Sequence, residues 1–189
     1  MTIRVTTEVS PSTEFPVSSE LRPLDTEALL RALAAHGVEH ILIGGVAALV
    51  HGATRVTVDA DVVPEPSQEN LNRLLAALRS IDAAVFVPAE RLRMEASQPW
   101  EAEALGRGPA GLLEAEAWHF TTSHGPLDVV MRGAGVGGHA EHAGRSVPMS
   151  LFGLQVLVAG IDDLIAAKQS LGREKDLSVL AELIELRDR

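Results

Sequence analysis

The chain of 189 residues is 46% hydrophobic and 22% charged, enough to bury a core in one compact domain, which excludes wholesale disorder and a large multidomain machine. Sixteen Lys and Arg against 26 Asp and Glu leave a net charge of −10, which argues against general coating of nucleic acid and leaves room only for a local basic cleft. With no cysteine, a disulfide scaffold, a thiol nucleophile and cysteine-ligated zinc are excluded as well.

Residues 1–23 are rich in Ser, Thr, Pro and Glu without apolar periodicity and read as a flexible arm; residues 24–189 read as the folded domain. The start shows no basic segment followed by an apolar one, so no signal peptide is expected. The apolar runs Ile41–Val50 and Val147–Ile161 fall short of the roughly 20 residues that span a bilayer. A cytoplasmic protein without a membrane segment is therefore expected. Asp25 is positioned to cap a first helix whose stripe is Leu29, Leu30, Leu33 and Ala34, ending at Gly37. A strand over Val38–Ile43, the turn Gly44-Gly45 and a short helix over Val46–His51 follow.

Arg55–Val63 alternates as a strand, with Val56, Val58, Ala60 and Val62 on one face and Thr57, Asp59, Asp61 and Val63 on the other. Pro64 and Pro66 end it, Ser67 caps the next helix, and Leu71, Leu74, Leu75 and Leu78 form that helix's stripe. Further strands are expected at Val85–Val87, Trp118–Ser123 and Leu127–Met131, the last two joined as a hairpin. Residues 88–117 give no clear pattern. The glycine-rich stretch Gly133–Gly144 reads as a loop, Val147–Leu151 as a short strand, and the chain turns helical from Gly160 onward, with a second helical segment after the interruption Gly172-Arg173-Glu174-Lys175. The whole is an α/β (α+β) domain: a small mixed sheet flanked by helices, with a C-terminal helical segment from about residue 160.

Candidate chemistry gathers around Gly44-Gly45 and the pair Asp59 and Asp61. Glycines permit close backbone approach to phosphate, and alternating carboxylates on a strand can hold a divalent metal from one face. The same pair could simply be two acids facing water on an exposed sheet. Asp128, inside the apolar run LDVVM, is a third candidate acid, with an edge-strand acid as the alternative. Three converging carboxylates suit metal-assisted phosphoryl transfer, Asp128 serving as general base or as a further ligand.

Lys168 falls on the apolar face of its helix, where a cation needs a partner, a phosphate or a snorkelling path. A continuous helix would align Lys168, Gly172 and Asp176. His51 and His119 read as structural, while His139 and His142, in the glycine-rich loop, read as solvated more readily than as metal ligands. Thr57, on the face of Asp59 and Asp61, is a candidate regulatory phosphorylation site, since a phosphate would add negative charge beside them. Neither a G-x-S-x-G elbow nor a P-loop is present.

The order GVEHILIGGVAALVHGATRVTVDADVV resembles the glycine-turn and D-x-[DE] signature of the DNA polymerase β-like nucleotidyltransferase superfamily. HGPLDVV and IDDLIAAKQSLGREKDLSVL are similar to the third-acid strand and helical motif of its AbiEii-like and MenT-type toxin nucleotidyltransferases, so the likeness spans about residues 25–186. Gly45 stands where many members have serine. The resemblance implies a nucleotidyltransferase fold and transfer of NMP from an NTP to an acceptor hydroxyl, in the toxin branch the 3′ end of tRNA, with Mg²⁺ in a two-metal site.

Asp59, Asp61 and Asp128 would be the metal ligands, Gly44 and Gly45 the triphosphate turn, and Lys168 the triphosphate cation, with Arg173 and Asp176 completing the motif. A cognate antitoxin would be the protein partner. Arg73, Arg79, Arg91 and Arg93 are the candidate RNA surface. Modification of a protein or a small molecule, and a catalytically dead fold serving as a binding module, stand as alternatives.

Overall fold

The computed structural model describes residues 17–88, 100–133, 137–172 and 174–189, without the side chains of 100, 102 and 174–178. In chain order the elements are β1 (Val17–Ser18), α1 (Thr26–Ala35), β2 (His40–Ile43), α2 (Gly44–Val50), β3 (Ala60–Pro64), α3 (Gln68–Ser80) and β4 (Ala84–Phe86). They continue with α4 (Trp100–Gly106), α5 (Pro109–Leu112), β5 (Ala117–Thr122), β6 (Gly125–Val130), α6 (His139–Ala143), β7 (Val147–Leu151), β8 (Leu154–Val158), α7 (Ile161–Leu171) and α8 (Glu174–Arg187). The fold is mixed α/β, and its sheet is larger than the pattern of the sequence suggests. Eight strands run in the order β1-β4-β5-β6-β3-β2-β8-β7.

The caps form where they are expected. Asp25 accepts from the Ala28 N–H at 3.0 Å, and the Ser67 hydroxyl accepts from the Asn70 N–H at 3.3 Å. Leu29, Leu30 and Leu33 of α1 and Leu71, Leu74, Leu75 and Leu78 of α3 bury one stripe each. They share a core with Val62, Leu127, Val129, Trp118 and Phe120, which alternate along β3, β5 and β6 onto one face of the sheet. The residues between them, Asp61, Asp128 and His119, take the opposite face.

Several expectations are corrected. The strand read over Arg55–Val63 begins only at Ala60, so Val56 and Val58 are not core residues but 82% and 72% exposed. The Thr57 hydroxyl donates to the Asp59 carboxylate at 2.7 Å and to the Asp59 carbonyl at 3.2 Å, and this local bonding competes with ladder pairing before β3 begins. The helix after the glycine turn starts at Gly44 itself. Val17 and Ser18, read as part of the arm, pair in parallel with Val85 and Phe86.

The glycine-rich stretch contains α6, and residues 134–136 within it lie outside the described set. The apolar run after Val147 folds back at Phe152-Gly153, both at positive φ (53° and 79°), into a hairpin of β7 and β8. The C-terminal part is two helices, as the interruption at Gly172 suggests: Gly172 closes α7 in the left-handed conformation at φ 58°, and α8 starts afresh at Glu174. Among the described residues no helix is long and apolar enough to cross a membrane.

Candidate functional site

Register brings two acids side by side. β3 and β6 run parallel with Asp61 opposite Asp128, and β5 and β6 run antiparallel with Asp128 opposite His119. One row on one face therefore reads His119, Asp128, Asp61 across three strands, with Asp61 opposite Ile43 on β2 just before the glycine turn. Neighbouring strands lie about 5 Å apart, so the two carboxylates are direct neighbours. Asp59, one residue before β3, adds a third acid.

Each carboxylate has its own partner. Asp59 accepts from Thr57, and Asp128 Oδ1 lies 2.9 Å from His119 Nδ1. Asp61 accepts from the Gly45 backbone N–H. Burial first, then the charges of Asp128 and Asp59, push the Asp61 carboxyl up to about 7, while Gly45 and the more distant charge of Lys168 pull the other way. The imidazole of His119 is raised, chiefly by its bond to Asp128 and also by the nearby charges of Asp61 and Asp59.

The two glycines of the turn have a local reason that the sequence alone does not show. A Cβ at Gly44, whose φ is +65°, would overlap the Asp61 carboxylate, and one at Gly45 would overlap the Thr57 hydroxyl. The turn is glycine because the acid and the threonine press against it.

Three acceptor-only carboxylates suit a hard divalent cation, and an Asp61 carboxyl displaced to about 7 marks a place short of positive charge. Among the described residues no group of three or more His, Asp or Glu side chains is arranged to hold a metal ion. The donor chemistry fits; the convergence is not built in, because Thr57, Gly45 and His119 hold the three acids separately.

Of the other sequence-predicted residues, Lys168 lies on α7, half-buried, and its charge is felt at Asp61. Arg173 lies outside the described residues, and so does the side chain of Asp176; the break at Gly172 removes the continuous face on which Lys168 and Asp176 were aligned. Thr57 spends its hydroxyl on Asp59. Arg73 is held by Glu39 at 2.9 Å, Glu69 at 3.0 Å and Asn70 at 3.2 Å, which ties its guanidinium to the chain itself; Arg91 and Arg93 lie outside the described residues.

His119, read from the sequence as structural, stands in the row beside Asp128. The hairpin contained the signal: from the terminal pair Thr122 and Gly125, three steps back on each arm put His119 opposite Asp128. His51 is structural as read, its Nε2 lying 2.8 Å from the Ala159 carbonyl.

His142 is corrected. It is not solvated in a loop but 3% exposed on α6, with Nδ1 donating to Asp163 Oδ2 at 3.1 Å while Arg145 Nε donates to Asp163 Oδ1 at 2.7 Å.

Beside the acids a cavity of about 480 Å³ opens, lined among others by Val58, Asp59, Phe86, Glu101, His119 and Asp128. Compared with known proteins, the chain matches no family model. None of the curated proteins matches it either.

Proposed function

We propose that this chain is a divalent-cation-dependent nucleotidyltransferase of the DNA polymerase β-like fold, moving NMP from an NTP to an acceptor hydroxyl with release of pyrophosphate. The acceptor to test first is the 3′ end of tRNA, the target in the toxin branch that the motifs resemble, which would make the chain the cytoplasmic toxin of a pair with an antitoxin. The single observation that supports this reading is the row of Asp61 and Asp128 on adjacent parallel strands, with Asp59 beside them and the glycine turn against Asp61.

Asp59, Asp61 and Asp128 would hold Mg²⁺, which when bound supplies charge neutralisation around the phosphates. Lys168 would contribute positive charge on the triphosphate side, where Gly44 and Gly45 form the turn and Arg173 and Asp176 complete the motif. The acceptor oxygen bonds to the α-phosphorus, and the bond from that phosphorus to the bridging oxygen breaks, its electron pair leaving on pyrophosphate. The hydroxyl proton passes to the Asp128 carboxylate, whose other interaction, with His119, keeps it oriented. Positioning and charge carry such a reaction more than covalent chemistry does.

The test is incubation of the full chain with Mg²⁺, each α-labelled NTP in turn and total tRNA, beside Asp59→Ala. Label on tRNA from the native chain, reduced on the order of 100-fold or more in Asp59→Ala, supports the reading. Undiminished transfer by Asp59→Ala removes the assigned metal site.

A further inference from the structure

We propose that Thr57 is a positioning residue of the site: its hydroxyl fixes the Asp59 carboxylate for the divalent cation, and its side chain fills the space that Gly45 leaves over the glycine turn. The inference rests on the metal-holding part of the nucleotidyltransferase reading and adds a residue to it.

Three observations carry it. The first is where the acids stand in the backbone. Asp61 and Asp128 are fixed by ladder register, opposite one another on β3 and β6. Asp59 precedes β3, which begins at Ala60, so no ladder partner holds it. The neighbouring Val56 and Val58 are 82% and 72% exposed, so their side chains pack against little. A carboxylate on such a segment samples several rotamers unless a local bond selects one.

The second is that bond. Among the described residues, the Thr57 hydroxyl is the hydrogen-bond donor to the Asp59 side chain, 2.7 Å from Oδ1 and 3.2 Å from the Asp59 carbonyl. The shorter of the two has the length of a charge-assisted bond. It takes one site on Oδ1 and leaves Oδ2 free as an acceptor, so the hold of Thr57 and a shared cation are compatible. Carboxylates that ligate metals are commonly hydrogen-bonded in turn, and loss of such a partner costs about 10–100-fold in metal affinity.

The third is the contact with the turn. A Cβ at Gly45 would stand 2.6 Å from the Thr57 Cβ and closer still to its hydroxyl, so the half-buried Thr57 lies directly over the Gly45 Cα. The Gly45 N–H donates to Asp61. One chain of contacts therefore runs from Asp61 through Gly45 and Thr57 to Asp59, and it sets the placement of one acid relative to the other.

The experiment measures Mn²⁺ binding to the full chain from the loss of the free-ion EPR signal, beside Tm. Thr57→Val keeps the shape and removes the hydroxyl, while Thr57→Ser keeps the hydroxyl. Thr57→Val weakens Mn²⁺ binding about tenfold or more, and Thr57→Ser stays within about threefold. Tm of both stays within about 2 °C of the native value, which separates positioning from support of the fold. Asp59→Ala weakens binding as well, and adding Thr57→Val to it changes nothing further, because Thr57 acts through Asp59.

The turn contact has its own reading. Gly45→Ala lowers Tm in the native chain and costs about half of that or less in a Thr57→Gly background, while Mn²⁺ affinity stays low in the double variant. Repair of the fold without repair of the cation site is what the hydroxyl's role requires.

Native affinity in Thr57→Val, an additive loss in Asp59→Ala with Thr57→Val, or an equal cost of Gly45→Ala in both backgrounds overturns the proposal. Undiminished binding in Asp59→Ala overturns it too, since Thr57 then has no ligand to position. The two readings fail separately. Mn²⁺ binding that follows the expected pattern without transfer of label to any acceptor refutes the transferase and leaves Thr57 in place. Mn²⁺ binding lost in Asp59→Ala and untouched in Thr57→Val refutes Thr57 and spares the metal site. No Mn²⁺ binding by the native chain at millimolar concentration removes both.

Discussion

Asp163 and Asp61 are both half-buried, and the company each keeps differs. Asp163, 11% exposed in its side chain, is met by Arg145 and by the buried His142, so an acid is answered by two cation-type donors. Asp61 is met by two more acids, and the groups that favour its charge are one backbone N–H and the field of Lys168. Asp163 is satisfied by its neighbours, whereas Asp61 is left among like charges, which is the surrounding that the proposed metal-holding role would ask for.

Three changes sharpen or break that contrast. Asp163→Ala strips His142 of its partner within the core, and a loss of about 1–3 kcal/mol is expected. Calorimetry would then show Tm falling by about 2–4 °C for each kcal/mol at this chain length. No change in Tm would mean that the α6–α7 knot holds nothing.

Gly44→Ala puts a methyl against the Asp61 carboxylate at a φ of +65°, so a destabilisation of about 1–2 kcal/mol is expected, together with loss of Mg²⁺-dependent stabilisation. Chemical denaturation with and without Mg²⁺ reads both.

Asp61→Asn has the opposite sign. Asp61 holds its proton more tightly folded than unfolded, so its contribution to stability is complete below the ordinary carboxylate range and is lost as pH rises through about 7. His119, raised by Asp128, contributes in the same direction and is lost as pH rises through its raised value. In metal-free buffer Tm of the native chain should fall between pH 5 and pH 8. Asp61→Asn should flatten that fall and gain about 2–4 °C at pH 8, equivalent to about 1 kcal/mol. A lower Tm than the native chain at pH 8 would show that Asp61 is a structural acid like Asp163.

Local signals were legible and distant ones were not. Asp25, Ser67 and the leucine stripe of α3 could be read because a cap and a period of 3.6 are properties of a dozen consecutive residues. Alternation at Val56 and Val58 misled because period two looks the same in a strand and in an extended loop; the Thr57–Asp59 bonding decided it.

β8 escaped because Phe152-Gly153 is an uncommon pair for a tight turn, so the strand read over Val147–Leu151 was given no partner in Leu154–Val158. Asp59, Asp61 and Asp128 were each visible as acids in apolar runs. That Asp61 and Asp128 are neighbours depends on parallel pairing between strands more than 60 residues apart, which no local pattern encodes. His142 and Asp163 were hidden for the same reason.

The sheet ends on two strands that offer little to a passing chain. At one side β1 has two residues; at the other β7 carries Pro148, which has no N–H to give. Short or proline-bearing borders of this kind blunt edge-to-edge aggregation and strand addition alike. Among the described residues, a second chain laid along β7 would find one ladder hydrogen bond missing at Pro148, so contact there would have to lean on side chains as well as backbone.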